Sequence, residues 1–148
     1  MGLEIAKAKF PGSPPNMSEL LEACRRLSSL ELSVAGMSVA FDFHPPETVD
    51  VELDAENRRA TLFHMAGEAP ALMALLEHAL LSLGGTFTHP VRAISLPLSR
   101  EGVDASNREI RQKLRNGAAF VFAVFALAAC ALVAAVGGAV YLVWRLFA

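Results

Sequence analysis

Apolar and polar residues alternate at the start of the chain, from Leu3 to Phe10, a period of two that predicts a short strand. Pro11-Gly12-Ser13-Pro14-Pro15 then breaks the chain. After it Leu20, Leu21, Cys24 and Leu27 recur at helical spacing, behind Asn16 with Glu19 three residues on. That spacing predicts a capping box, in which the Asn16 side chain and Glu19 satisfy each other's backbone N–H groups. Alternation returns from Leu32 to Phe43, predicting a strand bent or split at Gly36, and His44-Pro45-Pro46-Glu47 ends it.

Two further strands are expected at 49–53 and 59–65, joined as a hairpin through Asp54-Ala55-Glu56-Asn57-Arg58. From Ala69-Pro70 to Leu83 the pattern is helical again. Leu72, Leu75, Leu76, Ala79, Leu80 and Leu83 form the expected core face, Glu77-His78 the solvated side, and Gly84-Gly85 the stop. Thr86 to Leu98 is extended but interrupted by Pro90 and Pro97, so it suits a sheet edge. This order predicts an α+β two-layer sandwich, two helices on one face of a mainly antiparallel sheet, close to a ferredoxin-like split βαβ plan with an added hairpin.

The last part of the chain breaks the pattern altogether. From Gly117 to Trp144 there is a run of 28 residues without a charge. About 20 apolar residues cross a hydrocarbon core as a helix, so the run is long enough to span one. This segment explains the overall composition: 53% of the chain is hydrophobic and its mean hydropathy is +0.40, yet only 51 of the first 116 residues are apolar. The expected organisation is therefore a cytoplasmic domain over 1–103, a basic helical stem over 104–116, a membrane helix over 117–144 and a short extracytoplasmic tail over 145–148. The stem is expected to begin at Ser106-Asn107-Arg108-Glu109, a second capping-box pattern.

Charge sets the orientation. Residues 1–104 hold 8 Lys/Arg against 14 Asp/Glu, whereas 105–116 hold 4 against 1. Arg108, Arg111, Lys113 and Arg115 precede the run and Arg145 follows it, which predicts a cytoplasmic N-terminal side and contact with lipid headgroups. The opening residues carry no pattern of a signal peptide, so a tail-anchored arrangement is expected. Tyr141 and Trp144 suit the far interface. Ten Arg to three Lys, with abundant alanine, points to a GC-rich genome and hence a bacterial inner membrane.

Candidate chemistry is sparse. Cys24 and Cys130 belong to different segments and are not expected to pair. His44, His64, His78 and His89 lack metal-ligand spacing, although His44, His64 and His89 fall at strand ends where a pocket is conceivable. No nucleotide- or phosphate-binding loop and no nucleophile elbow is present, and nothing implies a cofactor. The acidic body argues against nucleic acid.

Two surfaces stand out. Asp50, Glu52 and Asp54 alternate along one strand face, the expected exposed face of an edge hairpin and a docking strip for a protein partner, with Arg58-Arg59 able to complement it. Ala126, Cys130, Ala134 and Gly138 recur four apart, a spacing that lets membrane helices approach closely and favours an oligomer or partner subunit. The expected function is a non-enzymatic accessory subunit, adaptor or regulator that binds protein at a membrane. The alternatives are a membrane-tethered enzyme or ligand sensor using His44, His64 and His89, and an immunity-type protein against a membrane-active toxin.

Overall fold

In a computed structural model, residues 3–43, 47–65 and 69–147 are described, with side chains described as far as residue 137 except at 3, 4, 65, 110 and 114. Six strands and three helices follow in the order β1 (Leu3–Lys9), α1 (Met17–Leu27), β2 (Leu32–Ala35), β3 (Ser38–Phe41), β4 (Thr48–Asp54), β5 (Arg59–Met65), α2 (Pro70–Ser82), β6 (Thr86–Phe87) and α3 (Arg100–Phe147). The fold is α+β. Its single six-stranded sheet is antiparallel throughout, in the order β2-β3-β4-β5-β1-β6. Contacts divide the chain into two compact units, Met1–Ile110 and Arg111–Ala148.

The 32–43 segment is not one strand but a tight hairpin. Gly36, at φ +65°, occupies the first central turn position, where a two-residue turn of this kind needs a positive φ that other residues resist. The β4–β5 hairpin lies in the middle of the sheet and not at its edge. β2 and the two-residue β6 are the edges, so the acidic strand is flanked on both sides.

Alternation along the central strands assigns their faces. Ala6, Ala8 and Phe10, Val49 and Val51, and Ala60 and Leu62 point into the core, while Ile5, Lys7, Lys9, Asp50 and Glu52 are exposed on the other face. The helices therefore cover one face only. Burying their apolar side chains, at about 25 cal/mol per Å², is the main force holding the layers together. The capping box at α1 forms as expected: Glu19 N donates to Asn16 Oδ1 at 2.9 Å, and Asn16 N to Glu19 Oε2 at 2.8 Å. Leu20, Ala23 and Cys24 fill its buried side.

α2 departs from the amphipathic pattern, because residues on all its sides are buried, from Ala71 to Glu77 without a break. The sheet covers one side. α1 packs along another side and the 88–99 segment reaches over a third through Arg92, with Leu98 and Val103 joining the core. The Leu98 N–H bonds to Leu27 O at 3.1 Å, which ties this segment to the end of α1.

α3 begins at Arg100, six residues before the expected cap. Ser99 is the side chain that caps it, accepting from Gly102 N at 3.2 Å, and Ser106 lies inside the helix. Its first turns pack on the domain. Arg100 stands over the Phe43 ring at 4.7 Å, Phe43 stacks on Phe41 at 5.4 Å, and Asn107 Nδ2 donates to Glu47 Oε2 at 2.8 Å. Farther on, α3 is long and apolar enough to cross a membrane, and none of its apolar window is buried.

Candidate functional site

The uncovered face of the sheet gathers most of the charged side chains of the central strands. Register places Asp50 beside Phe63 and Phe63 beside Ile5, Glu52 beside Thr61 and Thr61 beside Lys7, and Asp54 beside Arg59 and Arg59 beside Lys9. An acidic row on β4 and a basic row on β1 therefore run parallel, separated by β5. Ile5, in line with Lys7 and Lys9 on β1, is 47% exposed, a large apolar side chain open to solvent on a charged face.

The three acids of the strip differ. Asp50 accepts a short hydrogen bond from Ser38 Oγ on the neighbouring strand. Asp54 is turned into the hairpin loop: its oxygens accept from Asn57 N at 3.0 Å, from Asn57 Nδ2 at 2.6 Å and from Arg59 Nη2 at 3.4 Å. The bonds from Asn57, and then the Arg59 charge, hold its carboxyl below the ordinary aspartate range. Arg59 so complements Asp54, whereas Arg58, at φ +51°, reaches across to Pro11 O at 3.3 Å. Among the described residues, the side chains of Glu52, Lys7 and Lys9 make no hydrogen bond or ion pair. Glu52 and the two lysines are the charges of this face without a partner among the described residues.

A second constellation lies on the helical side. Glu77 is 0% exposed, against the solvated position expected from the helical pattern. It accepts from Arg92 N at 3.0 Å and from the Arg92 guanidinium, while His78 Nε2 bonds to Arg92 O at 2.9 Å and His89 Nε2 stands 3.7 Å from Glu77 Oε1. The sequence signal for Glu77 is a lone acid, beside His78, in a mostly apolar helix, which reads as exposed until a covering segment is known.

Beside this cluster lies a cleft of about 430 Å³, floored by small side chains: Pro70, Ala71 and Ala74 of α2, Gly102 and Ala105 of α3, with Ile94 and Leu98 at its wall. None of the expected histidines lines it. His64 is buried on the core side of β5, His89 belongs to the Glu77 cluster, and His44 lies outside the described residues. No group of three His, Cys, Asp or Glu side chains able to hold a metal occurs among the described residues.

Cys24 is buried, and burial pushes its thiol up to about 12, so it stays protonated and unreactive at neutral pH. In α3, Arg108, Arg111, Lys113 and Arg115 are exposed, as are Ala126, Cys130 and Ala134; the side-chain position of Gly138 lies outside the described residues. No protein-family model, curated protein or solved structure matches the chain.

Proposed function

We propose that this chain is a single-pass membrane protein, anchored by α3, whose α+β domain sits on the cytoplasmic side and binds a protein partner there as a non-enzymatic accessory subunit or adaptor. The observation that carries the anchoring is the 28-residue uncharged run Gly117–Trp144 within α3, whose apolar window has none of its surface buried. Among the described residues, fourteen large or branched apolar side chains stand exposed, and most of them, from Phe120 to Val136, are on this helix. In water that surface would drive aggregation; lipid is the solvent it suits.

Arg108, Arg111, Lys113 and Arg115 before the run outweigh Arg145 after it, which supports a cytoplasmic domain with its basic segment at the headgroups. A bacterial inner membrane fits the Arg-rich, Ala-rich composition. The split βαβ plan is supported by the position of β1 between β5 and β6, with β2 to β5 as a meander that adds a hairpin to the usual two strands. Docking is assigned to the uncovered sheet face, through Asp50 and Glu52, with Asp54 engaged in its own loop. The Ala126, Cys130, Ala134 and Gly138 face is assigned to helix packing in the bilayer.

The test is expression of the full chain in bacterial membranes, followed by alkaline extraction and protease protection. Retention in the pellet, with the domain cleaved only in inside-out vesicles, is the expected result. Release by alkali removes the anchoring, and cleavage from the opposite side reverses the orientation. For docking, a co-purifying protein recovered in mild detergent should be lost when Asp50→Lys and Glu52→Lys are combined.

A further inference from the structure

The uncovered sheet face is complementary to itself, and from this we infer that its partner is a second copy of the same chain. This rests on the assignment of that face as a docking surface. The acidic row of β4 and the basic row of β1 are symmetric about β5. Neighbouring strands are about 4.8 Å apart, so the two rows are separated by roughly 10 Å and bridge poorly within one sheet. The side chains of Glu52, Lys7 and Lys9 accordingly have no partner among the described residues.

A two-fold axis running along β5, midway between two facing sheets, changes this. It sets β1 of one copy over β4 of the other, and the reverse, so that each contact occurs twice. Residues at one height in the register then face each other: Glu52 meets Lys7, Asp54, held in its own loop, stands over Lys9, and Asp50 stands over Ile5. Packed sheets lie about 10 Å apart, a gap that a glutamate and a lysine reaching from opposite sides can close. Phe63 falls on the axis against its own copy, beside the exposed Ile5. Arg59 also falls near the axis, and its charge is already offset by Asp54 at 3.4 Å.

Area limits the affinity. The three seven-residue strands that overlie each other, β4, β5 and β1, give a footprint of roughly 23 by 14 Å, or about 330 Å² per copy, from the strand rise and spacing. That lies below the usual size of a stable interface, so the contact is weak and sensitive to salt. Two copies held in one membrane gain effective concentration, which compensates for a weak contact.

The test uses the full chain in nanodiscs and in dilute detergent, with self-association followed by sedimentation and by co-purification of two differently tagged copies. Association should weaken about ten-fold between low salt and 1 M salt, and about ten-fold when either Glu52→Lys or Lys7→Glu is introduced. Mixing the two variants should restore association, because each reversed charge then meets its opposite. Circular dichroism of each variant checks that the exposed substitution leaves the domain folded. A monomer at all salt concentrations overturns the inference. So does self-association indifferent to both charge reversals, which would locate the contact on α3. If self-association is unaffected but a different co-purifying protein is lost on Glu52→Lys, the second copy is refuted and the docking face stands. If neither changes, both fail.

Discussion

Glu77 and Arg92 form a buried clamp: one carboxylate, fully enclosed on α2, accepts from both the backbone N–H and the guanidinium of a residue fifteen positions later. The clamp fastens the irregular 88–99 segment onto the helix, and His78 completes it by bonding to Arg92 O. Removing Glu77 takes away the buried carboxylate that holds both the backbone N–H and the guanidinium of Arg92. Glu77→Ala should cost about 3 kcal/mol in urea unfolding, the low end for a buried pair, since the Arg92 side chain is 31% exposed. Glu77→Gln keeps an acceptor for the Arg92 N–H and should cost less. Changing both residues together, to Glu77→Leu and Arg92→Met, should recover most of the loss; failure to do so would mean that the pair matters for more than its charge balance.

Helix caps give a second comparison, between Ser106, which the sequence pattern favours as a cap, and Ser99, which caps α3 in the structure. Ser99→Ala removes the oxygen that accepts from Gly102 N, and should cost about 1 kcal/mol. Asn16→Ala should cost a similar amount by opening the capping box at α1. Ser106→Ala, inside α3, should change stability by less than about 0.5 kcal/mol. Chemical denaturation of the three variants ranks them, and a large loss at Ser106 would contradict the helix start at Arg100.

Local signals carried much of the fold. The Asn16 box, the alternation in β1, β4 and β5 and the uncharged run are each written in consecutive residues, and each forms where its pattern lies. What was not legible depends on contacts between distant segments. Glu77 reads as solvated until residues 88–99 are laid over it, and Ser106-Asn107-Arg108-Glu109 reads as a helix start until Arg100 meets Phe43 and Asn107 meets Glu47. The acidic strip was visible as a pattern on one strand. Its counterpart, Lys7 and Lys9, came into view only through the pairing of β1 with β5, across a separation of some fifty residues in sequence that no local pattern records.

Cys24 supplies a prediction in pH. Its folded thiol is pushed up to about 12 by burial, whereas in an unfolded chain it ionises near its ordinary value of 9.0. Below pH 9 both states hold the proton and the group favours neither. Above it the unfolded state loses its proton first, so stability should fall as pH rises from 9 towards 12. Cys24→Ala should flatten that alkaline decline, at the cost of a small cavity. In the folded protein carrying Cys130→Ser, a thiol reagent at pH 8 should react with Cys24 only after denaturant is added; rapid labelling under native conditions would show that the core opens at α1.

Gly84 and Gly85 end α2 for different reasons, and substitution should separate them. Gly84 has φ +90°, a conformation that L side chains rarely adopt, but its missing Cβ faces open space. Gly84→Ala should therefore cost about 1 kcal/mol from backbone strain alone. Gly85 has no such φ. A Cβ there would lie 2.8 Å from Leu80 O and 2.9 Å from Phe10 Cζ, a backbone oxygen on one side and a buried ring on the other. The oxygen already accepts from Gly85 N at 2.9 Å, so it cannot retreat without loosening the end of the helix, and the ring is held in the core beyond β1. Overpacking of this kind costs about 1–3 kcal/mol, so Gly85→Ala should be the more damaging of the two. Phe10→Leu in the same chain should relieve part of the clash at Gly85→Ala and none of the strain at Gly84→Ala. Thermal unfolding of the two single and two double variants measures this coupling; equal responses of both glycines to Phe10→Leu would mean that Phe10 is not what fixes Gly85.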